Sequence, residues 1–209
     1  KNFKSKNKIA MEKSDIFNSK YNEKREKLYL NINNKSEKII LNKSMKENKL
    51  KVILINNPKK KYFIRKIIRE KNFSQVQFCI NKKNISINFK NLIMFRLMNL
   101  LFCYAFFYEN SLKIDIITNN LKYLKPVVGR GLDHNIYINN KRVKIIDESY
   151  NANPDTMIQS ISYFYSIKRL SNKKILILGN MNELGINSYK IHLDLLKHLD
   201  KYSFKFVIL

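Results

Sequence analysis

The chain has 209 residues, of which 44% are hydrophobic, and its Lys and Arg outnumber its Asp and Glu by 41 to 16, which gives a net charge of +25. This hydrophobic content excludes disorder as the default state, and the length suits one or two ordinary domains. A basic excess invites a nucleic-acid interpretation, but the basic residues are spread along the chain among many Asn and Ile residues. We therefore favour compositional drift, as in an AT-rich genome, over a selected polyanion site.

A helix is predicted near the N-terminus, because apolar positions recur there with helical spacing. Short apolar runs separated by Lys- and Asn-rich segments then predict four strands. The helix pattern is carried by Ile9, Ala10, Lys13, Ile16 and Phe17, and the strands are predicted at residues 28–32, 37–41, 51–56 and 75–80.

A long apolar segment follows near residues 90–108, and a shorter helix is predicted around 111–124. The long segment contains Arg96 and Asn99 and is shorter than the roughly 20 apolar residues that a membrane span needs. It is therefore predicted to be a buried helix. The N-terminus lacks the apolar stretch of a signal peptide, and Cys79 and Cys103 have no CxxC spacing, which fits a reducing cytoplasm.

A change in glycine content near Lys125-Pro126 predicts a domain boundary. All four glycines of the chain follow it, and the segment KPVVGRG is interpreted as the linker. The predicted domains are residues 1–124 and 125–209. The first residue is Lys and the last segment is the apolar run FKFVIL, so both ends are interpreted as internal to a longer protein.

The C-terminal part predicts strands that alternate with helices. Near-continuous apolar runs in such an order are typical of a parallel sheet in an α/β fold, and the run at 173–179 is predicted to be buried on both faces. Ligands of these sheets bind at the carboxyl ends of the strands, where the loops DESYNAN and GNMNELG lie. The strands are predicted at 142–147, 173–179 and 204–209, and the helices at 154–169 and 188–199.

The loop after residue 147 combines helix-capping chemistry with residues that capping does not explain. Asn153 suits an N-cap, Pro154 suits the first helical position, and Asp155 complements the helix dipole. Carboxylates at a strand end can accept hydrogen bonds from ribose hydroxyls, a tyrosine offers a flat face to a base, and an asparagine both donates and accepts. A structural role and a ligand role are both open for Asp147, Glu148, Ser149, Tyr150 and Asn151.

The second loop, GNMNELG, is not a phosphate loop, because GxxxxGK[ST] spacing is absent from the whole sequence. Gly179 and Gly185 are interpreted as turn glycines. His192 on the following helix is either a ligand contact or, more commonly for a lone helical histidine, a satisfied residue at the surface or its boundary. The sequence contains neither a Ser-His-Asp pattern nor a metal-binding cluster of His and Cys.

The stretch IIDESYNANPDTM followed by ILILGNMNELGINSYKIH resembles the Mur ligases, most closely the member that joins D-alanyl-D-alanine to UDP-N-acetylmuramoyl-tripeptide. VVGRG, FKSKNKIAMEKSDIF and LYLNINN are similar to further segments of that family. The resemblance implies a fragment with an α/β fold, in which part of the central ATPase domain (1–124) precedes part of a Rossmann-like C-terminal domain (125–209). The P-loop of the family would precede Lys1.

The resemblance also implies an activity, ATP-dependent amide bond formation through an acyl phosphate with Mg²⁺, in peptidoglycan precursor synthesis in the cytoplasm. Its substrates would be UDP-N-acetylmuramoyl-tripeptide and D-alanyl-D-alanine. A full-length monomer without a nucleic-acid partner or a membrane span is expected, and the present chain alone is predicted not to catalyse the reaction because it contains no P-loop.

The resemblance transfers binding roles to seven residues and assigns no catalytic residue within the chain. Lys13 matches a carbamylated lysine that holds Mg²⁺, and a carbamate supplies the oxygen ligands that a hard cation prefers. Arg130 matches an arginine that reaches the nucleotide, and Glu148 replaces an aspartate that contacts the ribose. The remaining residues would line the nucleotide cleft: Asn99, near the adenine, and Tyr150, Asn151 and Asn153.

Several positions depart from the family pattern and motivate alternatives. Phe95 and Arg96 replace a His and an Asn, and Asn180 replaces an Asp. A second hypothesis is therefore a degraded relative that no longer ligates. A third, supported only by the net charge, is a basic nucleic-acid-binding protein. Two further acids of the family are replaced by Asn33 and Asn34.

Overall fold

The structure is a computed structural model that describes residues 6–15, 27–31, 35–46, 50–90, 93–124, 127–167 and 174–209. The chain divides into two compact units between Leu121 and Lys122. The predicted boundary residues Lys125 and Pro126 lie outside the described residues. The identification of the units with two domains of a Mur ligase stays a prediction.

The first unit contains a five-stranded mixed sheet with the strand order β1-β2-β3-β4-β5. β1, β2 and β3 run parallel, whereas β4 and β5 add to them as an antiparallel meander. The elements are α1 (Lys6–Ser14), β1 (Lys27–Asn31), α2 (Lys35–Lys46), β2 (Lys51–Ile55), β3 (Tyr62–Arg69), β4 (Ser74–Ile80), β5 (Lys83–Phe89), α3 (Met94–Glu109) and α4 (Asp115–Asn120).

The strand predicted at residues 37–41 is wrong, because this segment lies within helix α2. A short apolar run does not by itself distinguish a strand from a helix. The reason lies in the neighbouring strands: β1 and β2 pair in parallel from Lys27 opposite Lys51 onward. Parallel neighbours need a crossover connection, and α2 supplies it.

The strands β3 and β5 were not predicted from the sequence. β5 does alternate, with Ile85 and Ile87 between polar residues, but its Lys- and Asn-rich composition hides the pattern. The turn between β4 and β5 consists of Asn81 and Lys82, both with positive φ. Such a two-residue turn matches the twist of antiparallel strands.

The core of the first unit lies where helix α3 covers the sheet. Leu101 and Tyr104 of α3 pack with Val76 and Phe78 of β4, and all four side chains are fully buried. The predicted buried helix is therefore confirmed. Among the helices that the structure describes, none has the length and apolarity to cross a membrane.

Glu109 at the end of α3 holds this helix to the N-terminal ends of β2 and β3. Its side chain is only 6% exposed, and it accepts hydrogen bonds from the Tyr62 hydroxyl at 2.6 Å and from Lys51 Nζ at 2.7 Å. Burial raises the pKa of Glu109. The hydrogen bonds from Lys51 and Tyr62 lower it by more than burial raises it, so the pKa of Glu109 lies below its usual value. The carboxylate is thus retained in its charged form.

The second unit contains two small sheets. β6 and β7 form an antiparallel hairpin, and β8 and β9 pair in parallel. The elements are β6 (Leu132–Ile138), β7 (Lys141–Asp147), α5 (Pro154–Ser166), β8 (Ile175–Ile177), α6 (Ser188–Leu199) and β9 (Phe206–Ile208).

Two expectations for this unit need correction. The strand at 142–147 was expected among parallel neighbours, but β7 pairs antiparallel with β6, because the two-residue turn Asn139-Asn140, with positive φ at both residues, folds the chain back. The run at 173–179 was expected to be buried on both faces, yet Ile177 is 73% exposed. Within the described residues β8 is hydrogen-bonded only to β9, and this narrow sheet does not cover its apolar side chains.

Candidate functional site

The loop after β7 is tied to the glycine-containing segment that precedes β6. The backbone N–H of Gly131 donates to the carbonyl oxygen of Asp147 at 2.6 Å, and the N–H of Tyr150 donates to the carbonyl oxygen of Gly129 at 3.0 Å. These two bonds flank Arg130. The hairpin thus brings residues that are distant in the sequence to one place.

Gly129 permits this close approach. Its φ is +74°, and a Cβ atom at this position would lie 2.8 Å from the Cβ of Tyr150 and 2.9 Å from its backbone nitrogen. Any other L-residue would meet both the steric penalty of positive φ and this contact. A glycine is therefore required for the observed tie.

The side chains of Arg130 and Tyr150 meet beside these bonds. The guanidinium carbon of Arg130 lies 4.2 Å from the centroid of the Tyr150 ring, within the range of a cation–π interaction. Tyr150 remains 65% exposed. The structure thus brings together two of the predicted site residues.

Asp147 supports the loop from within. Its side chain accepts a hydrogen bond from the backbone N–H of Ser149 at 3.0 Å. Hydrogen bonds from Ser149, and a weaker one from the Gly129 backbone, hold the pKa of Asp147 below its usual range. Asp147 thus stabilises the conformation of the loop. The neighbouring Glu148 is half-buried, as Asp147 is.

Asn153 begins helix α5, as the sequence predicted. Its side-chain oxygen accepts from the backbone N–H of Thr156 at 3.0 Å, the Thr156 hydroxyl accepts from the Asn153 backbone, and Pro154 stands in the first turn. The predicted N-cap is therefore confirmed, and the side-chain oxygen of Asn153 is the atom that caps the helix. Asn151 is exposed on the loop.

The second predicted loop borders a cavity of about 670 Å³ at the carboxyl end of β8, lined among others by Asn180, Met181 and His192. His192 Nε2 accepts from the backbone N–H of Met181 at 3.1 Å, while Nδ1 lies 2.8 Å from the carbonyl oxygen of Ser188 and donates to it. Both ring nitrogens are used inside the protein. This geometry supports the structural interpretation of His192 over a ligand contact.

The two predicted site residues of the first unit lie on different helices. Lys13 is exposed near the end of α1, and Asn99 is exposed on α3. Among the residues that the structure describes, no group of three or more His, Cys, Asp or Glu side chains could hold a metal ion. Asn33 and Asn34 and the side chain of Phe95 lie outside the described residues.

Gly129 and Gly131 are the site residues that sequence reasoning missed. They were interpreted as ordinary linker glycines. The signal in the sequence was a glycine on each side of an arginine, since glycine is favoured in tight turns and where the backbone approaches another segment closely. The sequence gives no indication of which segment that is.

No protein-family model matches the sequence. The fold is similar to that of MurF from Acinetobacter baumannii, with a TM-score of 0.75 over 95% of this chain and 41% of that chain at 17% identity. A MurF ligase from Thermotoga maritima in complex with ADP gives a TM-score of 0.68 over 88% of this chain and 40% of that chain at 18% identity. Folylpolyglutamate synthetase from Lactobacillus casei gives 0.60 over 96% and 45% at 14% identity.

The chain therefore has the α/β fold of a segment of the Mur ligases. The resemblance inferred from the sequence is confirmed as a likeness of fold. The chain spans between 40% and 45% of the length of these three proteins.

Proposed function

We propose that the chain is part of an ATP-dependent ligase that adds D-alanyl-D-alanine to UDP-N-acetylmuramoyl-tripeptide in peptidoglycan precursor synthesis. The complete protein would be a cytoplasmic monomer that serves cell shape and division through cell-wall biogenesis. The second unit would supply residues of its nucleotide site.

The contact between Arg130 and Tyr150 carries this proposal. The sequence resemblance assigns both residues to the same nucleotide, although they lie on segments 20 positions apart. Their side chains meet at 4.2 Å. This agreement between a sequence pattern and a spatial contact supports a joint role of the two residues in nucleotide binding.

The side chains at this place suit a nucleotide. Arg130 offers a planar cation that matches a phosphate, and Glu148 offers acceptors for ribose hydroxyls. When bound, ATP supplies the phosphoryl group that activates a substrate carboxylate. Arg130 would bind and orient the phosphates of the nucleotide. Asn151 and Asn153 of the same unit are proposed to lie beside the nucleotide, and Asn99 of the first unit is proposed as a nucleotide contact on the strength of the resemblance alone.

A Mg²⁺ site around Lys13 is less well supported. A carbamylated Lys13 would contribute oxygen ligands, but the described residues do not supply a cluster to complete the coordination. Lys13 stays a proposed metal ligand on the strength of the resemblance alone.

A ligation assay on the translation product of the complete reading frame tests the proposal. ADP release should require both UDP-N-acetylmuramoyl-tripeptide and D-alanyl-D-alanine, and it should fall by at least tenfold in an Arg130→Met variant, because each 1.4 kcal/mol lost from a charged contact is about tenfold. Arg142→Met, on the exposed hairpin, is the matched control and should retain the wild-type rate.

Absence of dipeptide-dependent ADP release would contradict the ligase proposal. It would favour the second candidate, a non-catalytic relative, which the replacements Phe95, Arg96 and Asn180 already suggest. If the protein is such a relative, we expect it to bind ADP weakly. The altered positions belong to the segment that the resemblance places near the adenine and to the loop after β8.

A further inference from the structure

The environment of Arg130 fixes both its backbone and its side chain. Gly129 and Gly131, the residues on either side, are hydrogen-bonded to Tyr150 in the loop after β7 at 3.0 Å and to Asp147 at the end of β7 at 2.6 Å. The Tyr150 ring then meets the guanidinium at 4.2 Å. A long, flexible side chain is thereby held at its origin and at its end.

This arrangement changes the role expected for Tyr150. The sequence suggested that its ring offers a flat face to a base. In the structure the ring already lies within cation–π distance of Arg130. A guanidinium carries five N–H donors, so contact with a ring does not exhaust its capacity to bind an anion.

We propose that Tyr150 is a positioning residue, which holds the Arg130 guanidinium for a nucleotide phosphate rather than serving as the platform for the base. This inference rests on the proposed function for the identity of the ligand. Ordering an arginine before binding lowers the entropic cost of the phosphate contact. Tyr150 thus acts on the nucleotide through Arg130.

The first measurement detects the position of Arg130 without any ligand. In the ¹⁵N-labelled chain, the Nε–H signal of Arg130 should shift and its order parameter should fall when Tyr150 is changed to Leu, because the ring no longer shields or restrains it. Tyr150→Phe keeps the ring and should leave both quantities unchanged. Tyr137→Leu removes another exposed tyrosine, on β6, and is the matched control.

The second measurement uses ADP as the probe and combines substitutions. Tyr150→Leu should weaken ADP binding about two- to fivefold, the effect expected for loss of an exposed cation–π contact. In an Arg130→Met background the same change should have no further effect, because a residue that acts only through Arg130 is silent when Arg130 is absent. Tyr150→Phe should bind like the wild type.

The outcomes separate the two proposals. An equal loss of affinity from Tyr150→Leu with and without Arg130 would overturn the positioning role, since Tyr150 would then contact the nucleotide itself. An unchanged Arg130 Nε–H signal in Tyr150→Leu would also overturn it. If the wild-type chain does not bind ADP, that result counts against the proposed function, and the Nε–H signal alone decides whether Tyr150 holds Arg130.

Discussion

The two units of the molecule are ordered by different means. In the first, a five-stranded sheet packs under α3, and large side chains such as Ile55, Phe78 and Tyr104 are fully buried. In the second, the described strands form two-stranded sheets, and every residue of β9 is exposed. The loop after β7, which carries the candidate nucleotide site, belongs to this second unit with its two-stranded sheets.

The difference shows that the loop of the candidate site is held in place without a large core. The loop after β7 is held by backbone bonds to Gly129 and Gly131, by the Asp147 carboxylate and by the cap at Asn153. All of these interactions lie between residues 129 and 156. We therefore expect core substitutions to affect the first unit most, and backbone and cap substitutions to affect the site of the second unit.

Truncation of a core leucine should separate the two units most clearly. Leu101 in the first unit is 0% exposed and Leu195 in the second is 5% exposed. Leu101→Ala should cost about 4 kcal/mol and Leu195→Ala about 2 kcal/mol, because the cost rises with the cavity that rigid surroundings leave unfilled. Native-state hydrogen exchange, read separately for each unit, measures both. Equal losses would show that the two cores are packed alike.

The Glu109 anchor should give the next largest effect. Glu109→Gln removes the charge that Lys51 and Tyr62 stabilise, and it should cost about 2–3 kcal/mol of unfolding free energy because hydrogen bonds to a charged group are strong. Glu70→Gln, at an exposed turn of the same sheet, should cost almost nothing. Urea unfolding at pH 7 compares the two variants.

The same anchor predicts a pH dependence. The folded pKa of Glu109 lies below its ordinary value of 4.5, so its contribution is complete above the unfolded pKa and is lost as the pH falls through the folded pKa. Between about pH 5 and pH 2 the wild type should therefore lose more stability than Glu109→Gln. Parallel curves for the two proteins would show that Glu109 is not the titrating group.

The fold could be predicted where a sequence pattern is compatible with only one type of secondary structure. The buried helix α3 and the strands β1, β2 and β4 follow from apolar runs bounded by polar segments. The prediction of a strand at residues 37–41 was wrong because an apolar run of this length fits both a strand and a helix. Only the parallel pairing of β1 with β2 decides between the two. That pairing is a tertiary fact which the local sequence does not contain.

The candidate site was predictable to a similar extent. The cap at Asn153 and Pro154 follows from local chemistry, and the structure confirms it. The contact of Arg130 with Tyr150 depends on the β6–β7 hairpin and on the positive φ of Gly129. Neither can be inferred from the spacing of the two residues, so the family resemblance named them without indicating that they touch.

Substitution at Gly129 should test the backbone tie of the second unit. Gly129→Ala forces positive φ on an alanine, which costs about 1–2 kcal/mol, and it places a Cβ atom 2.8 Å from the Cβ of Tyr150. Gly179→Ala is the matched control, because its Cβ would meet no atom within 4 Å. Hydrogen exchange of the Tyr150 amide should quicken only in the first variant, and similar exchange in both would contradict the tie.

The smallest expected effect is at Asn153, where it separates capping from ligand binding. Asn153→Ala removes the acceptor of the Thr156 N–H and should cost about 1 kcal/mol of unfolding free energy, whereas Asn153→Asp keeps an acceptor and should cost little. If Asn153 only begins α5, ADP affinity should follow stability, so that the Ala variant is weaker and the Asp variant is unchanged. If its amide also touches the nucleotide, the Asp variant should lose affinity while it keeps its stability, because a carboxylate cannot donate and repels phosphate.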